Sequence, residues 1–207
     1  MKAFLWASAA CVALAGCTVP QSGVENLPVA QATDTSEDAR IADLISRMSV
    51  ERKVAQLIQP QINSFTAEDM RRYRFGSYLN GGNGGPYGNE YAEASEWLKL
   101  ADEMYLASVE PMPGGEPVIP TMWGTDAVHG HTNIIRATIF PHNIALGATR
   151  DADLVRRVGE ATAVEIEVTG IDWNFSPTIA VAQDDRWGRT YESYSEDPAI
   201  VAPLGAA

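Results

Sequence analysis

Apolar positions along the chain follow two different spacings, and their alternation predicts strands separated by helices. Short apolar runs at residues 75–79, 118–123 and 171–177 have the length and composition of buried strands. Between them, apolar residues recur every three or four positions, which is the spacing of amphipathic helices. Strands that alternate with helices predict an α/β fold with a parallel sheet. The helical segments predicted in this way begin near residues 36, 49, 66, 89, 141, 151 and 198.

Capping residues at the ends of these segments support the predicted helices. Ser49 and Asp151 directly precede helical segments, and Thr66-Ala-Glu-Asp69 is a loose capping box. Asp197-Pro198 places an N-cap before a proline, and Gly170 ends the helix that Asp151 begins. The chain holds about three strand–helix units, whereas a (β/α)8 barrel needs eight. We therefore predict an incomplete part of such a TIM-type barrel.

The first residues of the chain predict an export signal. A short apolar run ends in Leu14-Ala15-Gly16-Cys17, which resembles a bacterial lipoprotein box. We predict that residues 1–17 are a lipoprotein signal peptide and that Cys17 is acylated; an ordinary cleaved signal is the alternative. Residues 18–36 lack helical periodicity and predict a flexible tether. The protein is therefore expected to be exported and lipid-anchored, in the periplasm or on an outer membrane.

Charge and cysteine content exclude several classes of partner. The 207 residues carry a formal net charge of −12, which repels nucleic-acid phosphates and anionic lipid surfaces. We therefore predict no nucleic-acid partner, and membrane contact only through the lipid anchor. Both cysteines, Cys11 and Cys17, lie in the predicted signal, so the body has no disulfide and no cysteine metal site. The glycine-rich segment at residues 81–86 fits no nucleotide-binding spacing, so we interpret it as a rim loop and predict no cofactor.

Candidate chemistry follows the second predicted strand, in the segment from Val118 to His131. The apolar run is expected to break at Gly124 into a polar loop that carries Asp126. Ligands bind beyond the carboxyl ends of parallel strands, so Asp126 is a candidate binding residue; a cap of the following turn is the alternative. A metal site formed by Asp126 with His129, His131 and His142 is a further hypothesis. Histidines at such a rim more often form hydrogen bonds, and we predict no metal.

A second polar loop follows the third predicted strand and contains Arg186 and Arg189. A guanidinium group donates two hydrogen bonds at once, and a carboxylate accepts from adjacent hydroxyls. An arginine here and Asp126 on the neighbouring strand end could therefore hold a neutral polyol. The alternative is a network of salt bridges that stiffens the loop, formed by Arg186, Arg189, Asp184 and Glu192. Both interpretations can hold, with one arginine structural and the other facing the ligand.

Three linked motifs resemble glycoside hydrolase family 3, and most closely its β-glucosidases and β-glucan exohydrolases. They are T-D-A-V-H-G-H at 125–131, A-T-I-F-P-H-N at 137–143, and D-R-W-G-R with Y-E-S-Y-S-E-D at 185–197. The resemblance implies that residues 37–207 are the N-terminal portion of the family's barrel domain. It also implies that Asp126 and Arg189 bind hydroxyls of the terminal, non-reducing glucosyl unit of a β-glucoside or β-glucan. The chain departs from the family pattern at Asp185, where a proline is common.

The resemblance further implies hydrolysis of terminal β-D-glucosyl residues by a retaining mechanism, as in β-glucosidase-type O-glycosyl hydrolases. In the family, the nucleophile and the acid/base residue lie in later segments, so we expect them beyond Ala207 and assign no catalytic residue here. The chain alone is therefore expected to supply only substrate-binding residues and to be inactive. One alternative is a β-N-acetylhexosaminidase of the same family, which would carry an acid-Gly-Gly motif near Asp126. The other is a non-catalytic sugar-binding lipoprotein.

Overall fold

The computed structural model describes residues 35–207 of the chain. The predicted signal peptide and the predicted acylation site at Cys17 lie outside the described residues. The predicted tether also lies outside them, apart from Thr35 and Ser36, which begin the first helix.

The described residues form a three-stranded parallel sheet flanked by helices, as the sequence predicts. The strand order is β1-β2-β3, so each strand pairs with the next one along the chain. In the register of the sheet, Tyr78 pairs with Trp123, and Gly124 pairs with Trp173. The strands are β1 Ser77–Asn80, β2 Met122–Thr125 and β3 Trp173–Asn174. The helices are α1 Thr35–Ser46, α2 Val50–Ala55, α3 Ala67–Tyr73, α4 Ala94–Val109, α5 Asn143–Thr149, α6 Ala152–Glu167 and α7 Pro198–Ala206.

The predicted helix caps are confirmed by their hydrogen bonds. The side chain of Ser49 accepts from the amide of Arg52, and the side chain of Asp151 accepts from that of Leu154. Thr66 and Asp69 form the complete capping box at the start of α3. Asp197 accepts from the Ala199 amide at the start of α7. Each cap satisfies a backbone donor that has no partner within its helix, which fixes where the helix begins.

The second strand begins and ends later than predicted. The predicted strand covered residues 118–123, but the ladder begins at Met122 because Pro117 and Pro120 have no N–H to donate. Gly124 does not break the strand. A β-carbon on this residue would lie 2.4 Å from the Phe175 ring, so glycine permits the close packing of β2 against the segment that follows β3. Asp126 therefore comes directly after a strand that ends at Thr125.

The third strand is shorter than predicted, two residues instead of the seven from 171 to 177. The side chain of Asn174 accepts hydrogen bonds from the backbone amides of Ala127 and Ser176. Such local bonds compete with a regular ladder, and Pro177 has no N–H to extend it. The segment therefore leaves the sheet at the point where it contacts the loop after β2.

Two hydrophobic clusters stabilise the structure. The larger one packs α4 against the sheet, where the rings of Trp97 and Trp123 stack with their centroids 5.7 Å apart. Tyr78 continues this stack, with its centroid 5.1 Å from that of Trp123. The smaller cluster joins α5, α6 and α7 to the loop after β3. Its buried members are Leu146, Val155, Tyr194, Val201 and Leu204.

The two edges of the sheet differ. A segment from Pro60 to Ile62 runs beside β1, and its backbone exchanges hydrogen bonds of 3.0 and 2.9 Å with Leu79. On the other side, β3 has no further strand partner within residues 35–207. Among the helices that the structure describes, none combines the length and the apolar character needed to cross a lipid bilayer.

Candidate active site

Asp126 lies at the carboxyl edge of the sheet, directly after β2. The loop that carries it is joined to β3 and to the segment after it by two hydrogen bonds. The Ala127 amide donates to Asn174 Oδ1 at 3.3 Å, and Ser176 Oγ donates to the Ala127 carbonyl at 3.0 Å. No hydrogen bond among the described residues involves the exposed Asp126 carboxylate, so the alternative that it caps the following turn is wrong. Its oxygens are available to a ligand.

The loop after β3, which carries Arg189, folds back on itself at the same edge. The Ala182 amide donates to the Ser195 carbonyl, and Ser193 Oγ donates to the Ala180 carbonyl at 2.6 Å. A short 3-10 turn, Thr190–Glu192, follows Arg189 directly. In a 3-10 turn, side chains three positions apart lie on the same side, so Arg189 and Glu192 meet.

Both arginines of this loop form ion pairs, as the salt-bridge interpretation predicts. Arg189 donates to Glu192 through two bonds, from Nε to Oε1 at 2.9 Å and from Nη2 to Oε2 at 2.6 Å. Arg186 donates through Nε to Asp184 Oδ1 at 2.9 Å. The Arg186 pair is exposed and contributes little to stability, whereas Glu192 is buried.

The charges of the two strand-end loops interact. Hydrogen bonding to Glu192 raises the pKa of Arg189 above its usual range, and the nearby charge of Asp126 raises it further. The same hydrogen bond lowers the pKa of Glu192. Arg189 therefore remains a cation at any physiological pH, at the same edge as Asp126. Both side chains are exposed, and neither lines the adjacent cavity of about 480 Å³, so the described residues present them on an open surface.

Comparison with known proteins identifies the family. Residues 49–207 match the N-terminal domain of glycosyl hydrolase family 3. The chain belongs to this family. The predicted α/β class is confirmed, and the three parallel strands form part of the barrel-type N-terminal domain of family 3.

Relatives of the family 3 chain include enzymes that act on β-glucosides. It is 31% identical over 201 residues to the lysosomal beta glucosidase of Dictyostelium discoideum, covering 90% of this chain and 24% of that protein. An exo-1,3/1,4-β-glucanase from a Pseudoalteromonas species has a crystal structure that matches this chain with a TM-score of 0.76 and 59% sequence identity. The match covers 83% of this chain and 21% of the glucanase chain. A β-glucosidase mutant from Listeria innocua in complex with laminaribiose is 25% identical with a TM-score of 0.58, covering 81% of this chain and 22% of that one. The chain spans less than a quarter of the length of each of these three relatives.

The three histidines of the family 3 chain have different surroundings. His131 is fully buried; its Nε2 lies 3.1 Å from Thr169 Oγ1, and its ring meets Trp97 edge-on. Burial lowers the pKa of His131 to about 4. His129 instead packs against His142 with ring centroids 4.5 Å apart. Within residues 35–207, no three His, Cys, Asp or Glu side chains are grouped to hold a metal ion, so the structure gives no support to the metal hypothesis.

Some residues of the site were not found from the sequence. Asn143, buried at the start of α5, donates from Nδ2 to the Glu192 carbonyl at 2.8 Å, and Thr178 Oγ1 donates to the Glu192 carboxylate at 3.3 Å. The only sequence signal for Asn143 is a polar residue placed next to an apolar helix start. Nothing in the sequence around Thr178 indicates its contact, because the partner lies 14 residues away.

The Asp185 departure from the family pattern does not open the turn. The Asp184 carbonyl accepts from the Trp187 amide at 3.0 Å, and the Asp184 side chain accepts from the Arg186 amide at 2.9 Å. An aspartate that bonds to the backbone two residues ahead closes a turn without proline. Arg189 therefore keeps its place beside Glu192.

Proposed function

We propose that the full-length protein hydrolyses terminal, non-reducing β-D-glucosyl residues of β-glucosides or β-glucans with retention of configuration. Membership of family 3 supports this proposal, as do relatives named as β-glucosidases and as an exo-1,3/1,4-β-glucanase. The observation that carries it is that the exposed Asp126 directly follows β2, while the loop after the neighbouring strand β3 presents an exposed Arg189 whose Nε and Nη2 are held by Glu192.

Asp126 and Arg189 together suit the terminal unit of a neutral sugar. An ionised carboxylate accepts hydrogen bonds from two adjacent hydroxyls, and a guanidinium donates to hydroxyl oxygens. We infer that these two residues bind the glucosyl ring and orient its anomeric carbon. Because the opposite charges face one ligand, the site neither needs nor favours a charged substrate.

The chemical step of a retaining glycosidase requires two carboxyl groups about 5 Å apart. Two acidic residues, one directly before β3 and one in the loop after it, have other roles. Asp172 accepts a hydrogen bond of 3.0 Å from the Trp123 amide, and Glu192 is paired with Arg189. We therefore assign neither as nucleophile, and propose that this part of the enzyme binds and orients the substrate.

The substrate assignment is tested with the full-length protein and 4-nitrophenyl glycosides. We expect rapid release of nitrophenol from the β-glucoside, slow release from the N-acetyl-β-glucosaminide, and a first-formed β-anomer by NMR. Faster hydrolysis of the N-acetylglucosaminide would assign the protein to the hexosaminidase branch. Binding of laminaribiose without any hydrolysis would show a non-catalytic sugar-binding protein.

The role of Asp126 is tested by Asp126→Asn. The amide accepts weaker hydrogen bonds than the carboxylate, and hydrogen bonds to charged groups contribute about 1.5–3 kcal/mol. We expect kcat/KM to fall about tenfold to a hundredfold. Asp102→Asn, on the exposed side of α4, is the control and should leave kcat/KM unchanged. An Asp126→Asn variant with the activity of the parent would show that Asp126 does not contact the sugar.

A further inference from the structure

We propose that Glu192 is a positioning residue, which holds the guanidinium of Arg189 in the orientation that binds the sugar. This inference rests on the proposed function, in which Arg189 contacts the substrate. It adds a role for a buried side chain that does not itself need to touch the ligand.

The contact between Arg189 and Glu192 uses only one edge of the guanidinium. Nε and Nη2 donate to the two carboxylate oxygens at 2.9 and 2.6 Å, which is the two-point geometry of the strongest arginine–carboxylate pairs. Nη1 has no hydrogen-bond partner among the described residues. The paired edge therefore fixes the plane of the group, and the other edge remains free to donate to a ligand.

Glu192 is the fixed member of the pair. Its side chain is 10% exposed, whereas that of Arg189 is 59% exposed. Thr178 Oγ1 donates to its carboxylate, and the buried Asn143 holds its backbone carbonyl. A buried carboxylate that accepts from Thr178, on a backbone held by Asn143, can set the position of a long, exposed side chain.

The neighbouring pair of Arg186 and Asp184 provides a contrast within the same loop. The side chain of Arg186 is 91% exposed and that of Asp184 is 46% exposed, so neither member is anchored by burial. This pair closes the turn but presents no fixed guanidinium. It is therefore a matched control for the loss of an arginine–carboxylate contact in this loop.

The presence of Asp126 gives the orientation a chemical purpose. Besides Glu192, Asp126 is the carboxylate whose charge raises the pKa of Arg189. The contact with Glu192 occupies Nε and Nη2 of Arg189, so these two donors are not available to pair with Asp126. An arginine side chain also loses rotamer entropy when it is fixed, and a pre-oriented group does not lose it again when the ligand binds.

The test is a double-mutant cycle in the full-length enzyme, with Glu192→Gln, Arg189→Ala and the double variant, assayed on a β-glucoside. We expect Glu192→Gln to raise KM about tenfold with a much smaller change in kcat, because the loss falls on binding. Added to Arg189→Ala, the Glu192→Gln change should have no further effect, since it acts through Arg189. Asp184→Asn keeps a side-chain oxygen that accepts from the Arg186 amide and removes only the ion pair, so it should leave KM within about twofold of the parent.

Each outcome separates this inference from the proposed function. If Arg189→Ala lowers kcat/KM but Glu192→Gln does not, the positioning role is wrong and the proposed function stands. If Glu192→Gln is equally harmful with and without Arg189, its role is structural and the inference is wrong. If Arg189→Ala has no effect, the assignment of Arg189 to the sugar fails, and the inference fails with it.

Discussion

At the scale of single residues, His131 shows how burial determines a charge state. Thr169 donates its hydroxyl proton to the Ile166 carbonyl at 2.6 Å, so the same hydroxyl accepts from Nε2 of His131. The proton of the neutral ring is thereby assigned to Nε2. Nδ1 is buried without a hydrogen-bond partner among the described residues, so no bond there stabilises a charged ring. Desolvation therefore keeps His131 neutral and lowers its pKa to about 4.

This lowered pKa predicts a loss of stability in acid. Between pH 6.5 and about 4, His131 binds a proton in the unfolded chain but not in the folded one, so folding becomes less favourable as the pH falls through this window. The full effect is about 3 kcal/mol. Calorimetry of the full-length protein should show the Tm difference between parent and His131→Gln shrinking as the pH falls from about 7 to about 4. A Tm difference that stays constant over this range would show that His131 does not titrate in this way. The control is His142→Gln, a substitution of an exposed histidine.

The sequence identified Asp126 and Arg189 as candidates because each stands in a motif next to a predicted strand end. It also offered Glu192 as a possible partner of Arg189, but could not show which of the two is buried. The burial of Glu192 depends on Asn143 and Thr178, which reach it from other segments. Contacts between distant positions depend on the folded backbone, and a local pattern contains no record of them.

At the scale of elements, the loop after β3 is held in place by a close contact with α5. A β-carbon on Gly147 would lie 1.7 Å from the Tyr194 carbonyl oxygen, so the helix can approach the loop only because this residue is glycine. Tyr194 lies two residues after Glu192, and Asn143 extends from the same helix to Glu192. The helix therefore supports the segment that carries the binding arginine.

Gly147→Ala is expected to disturb this support. The added methyl group must displace the loop, and overpacking of this kind costs about 1–3 kcal/mol. We expect a lower Tm and a reduced kcat/KM in the full-length protein. Gly159→Ala is the matched control: it lies in α6 with no atom within 4 Å of the added carbon, and should raise helix stability by up to about 1 kcal/mol. A Gly147→Ala variant that matches the parent in Tm and activity would contradict the close contact.

Helices were easier to predict than strands at this scale. The caps at Ser49, Thr66 and Asp151 are local signals, and each marks the observed start of its helix. Strand limits depend on the partner strand, and this explains the errors at Gly124 and at residues 171–177. The strand was wrongly predicted to break at Gly124, because the sequence could not show that the Phe175 ring packs over this glycine.

At the scale of the whole molecule, large apolar side chains remain exposed on α2 and on the segment that follows it. Val50, Val54 and Leu57 are 70%, 50% and 86% exposed. Exposed apolar groups of this extent are typical of surfaces that contact other parts of an assembly or of a larger protein. The chain covers 24% of one curated relative and 21% of one solved structure, so the activity proposed here is that of the full-length enzyme.

The proposed export and anchoring belong to this scale, and rest on the sequence Leu14-Ala15-Gly16-Cys17. Acylation requires the thiol of Cys17, so Cys17→Ser should abolish the incorporation of labelled palmitate in bacterial cells. Cys11→Ser keeps that thiol and should be labelled like the parent. Label that persists in Cys17→Ser, or is lost in Cys11→Ser, would show that Cys17 is not the acylated residue.

The order of the strands has a consequence for biosynthesis. Because β1, β2 and β3 are neighbours in the sheet in the same order as in the chain, β2 and β3 each find their partner strand already present as the chain emerges from the membrane during the proposed export. The nascent chain can therefore add one strand and its covering helix at a time. Until the following segment has emerged, however, the newest strand presents an unpaired backbone edge, which is where chaperones or misassembly would act first.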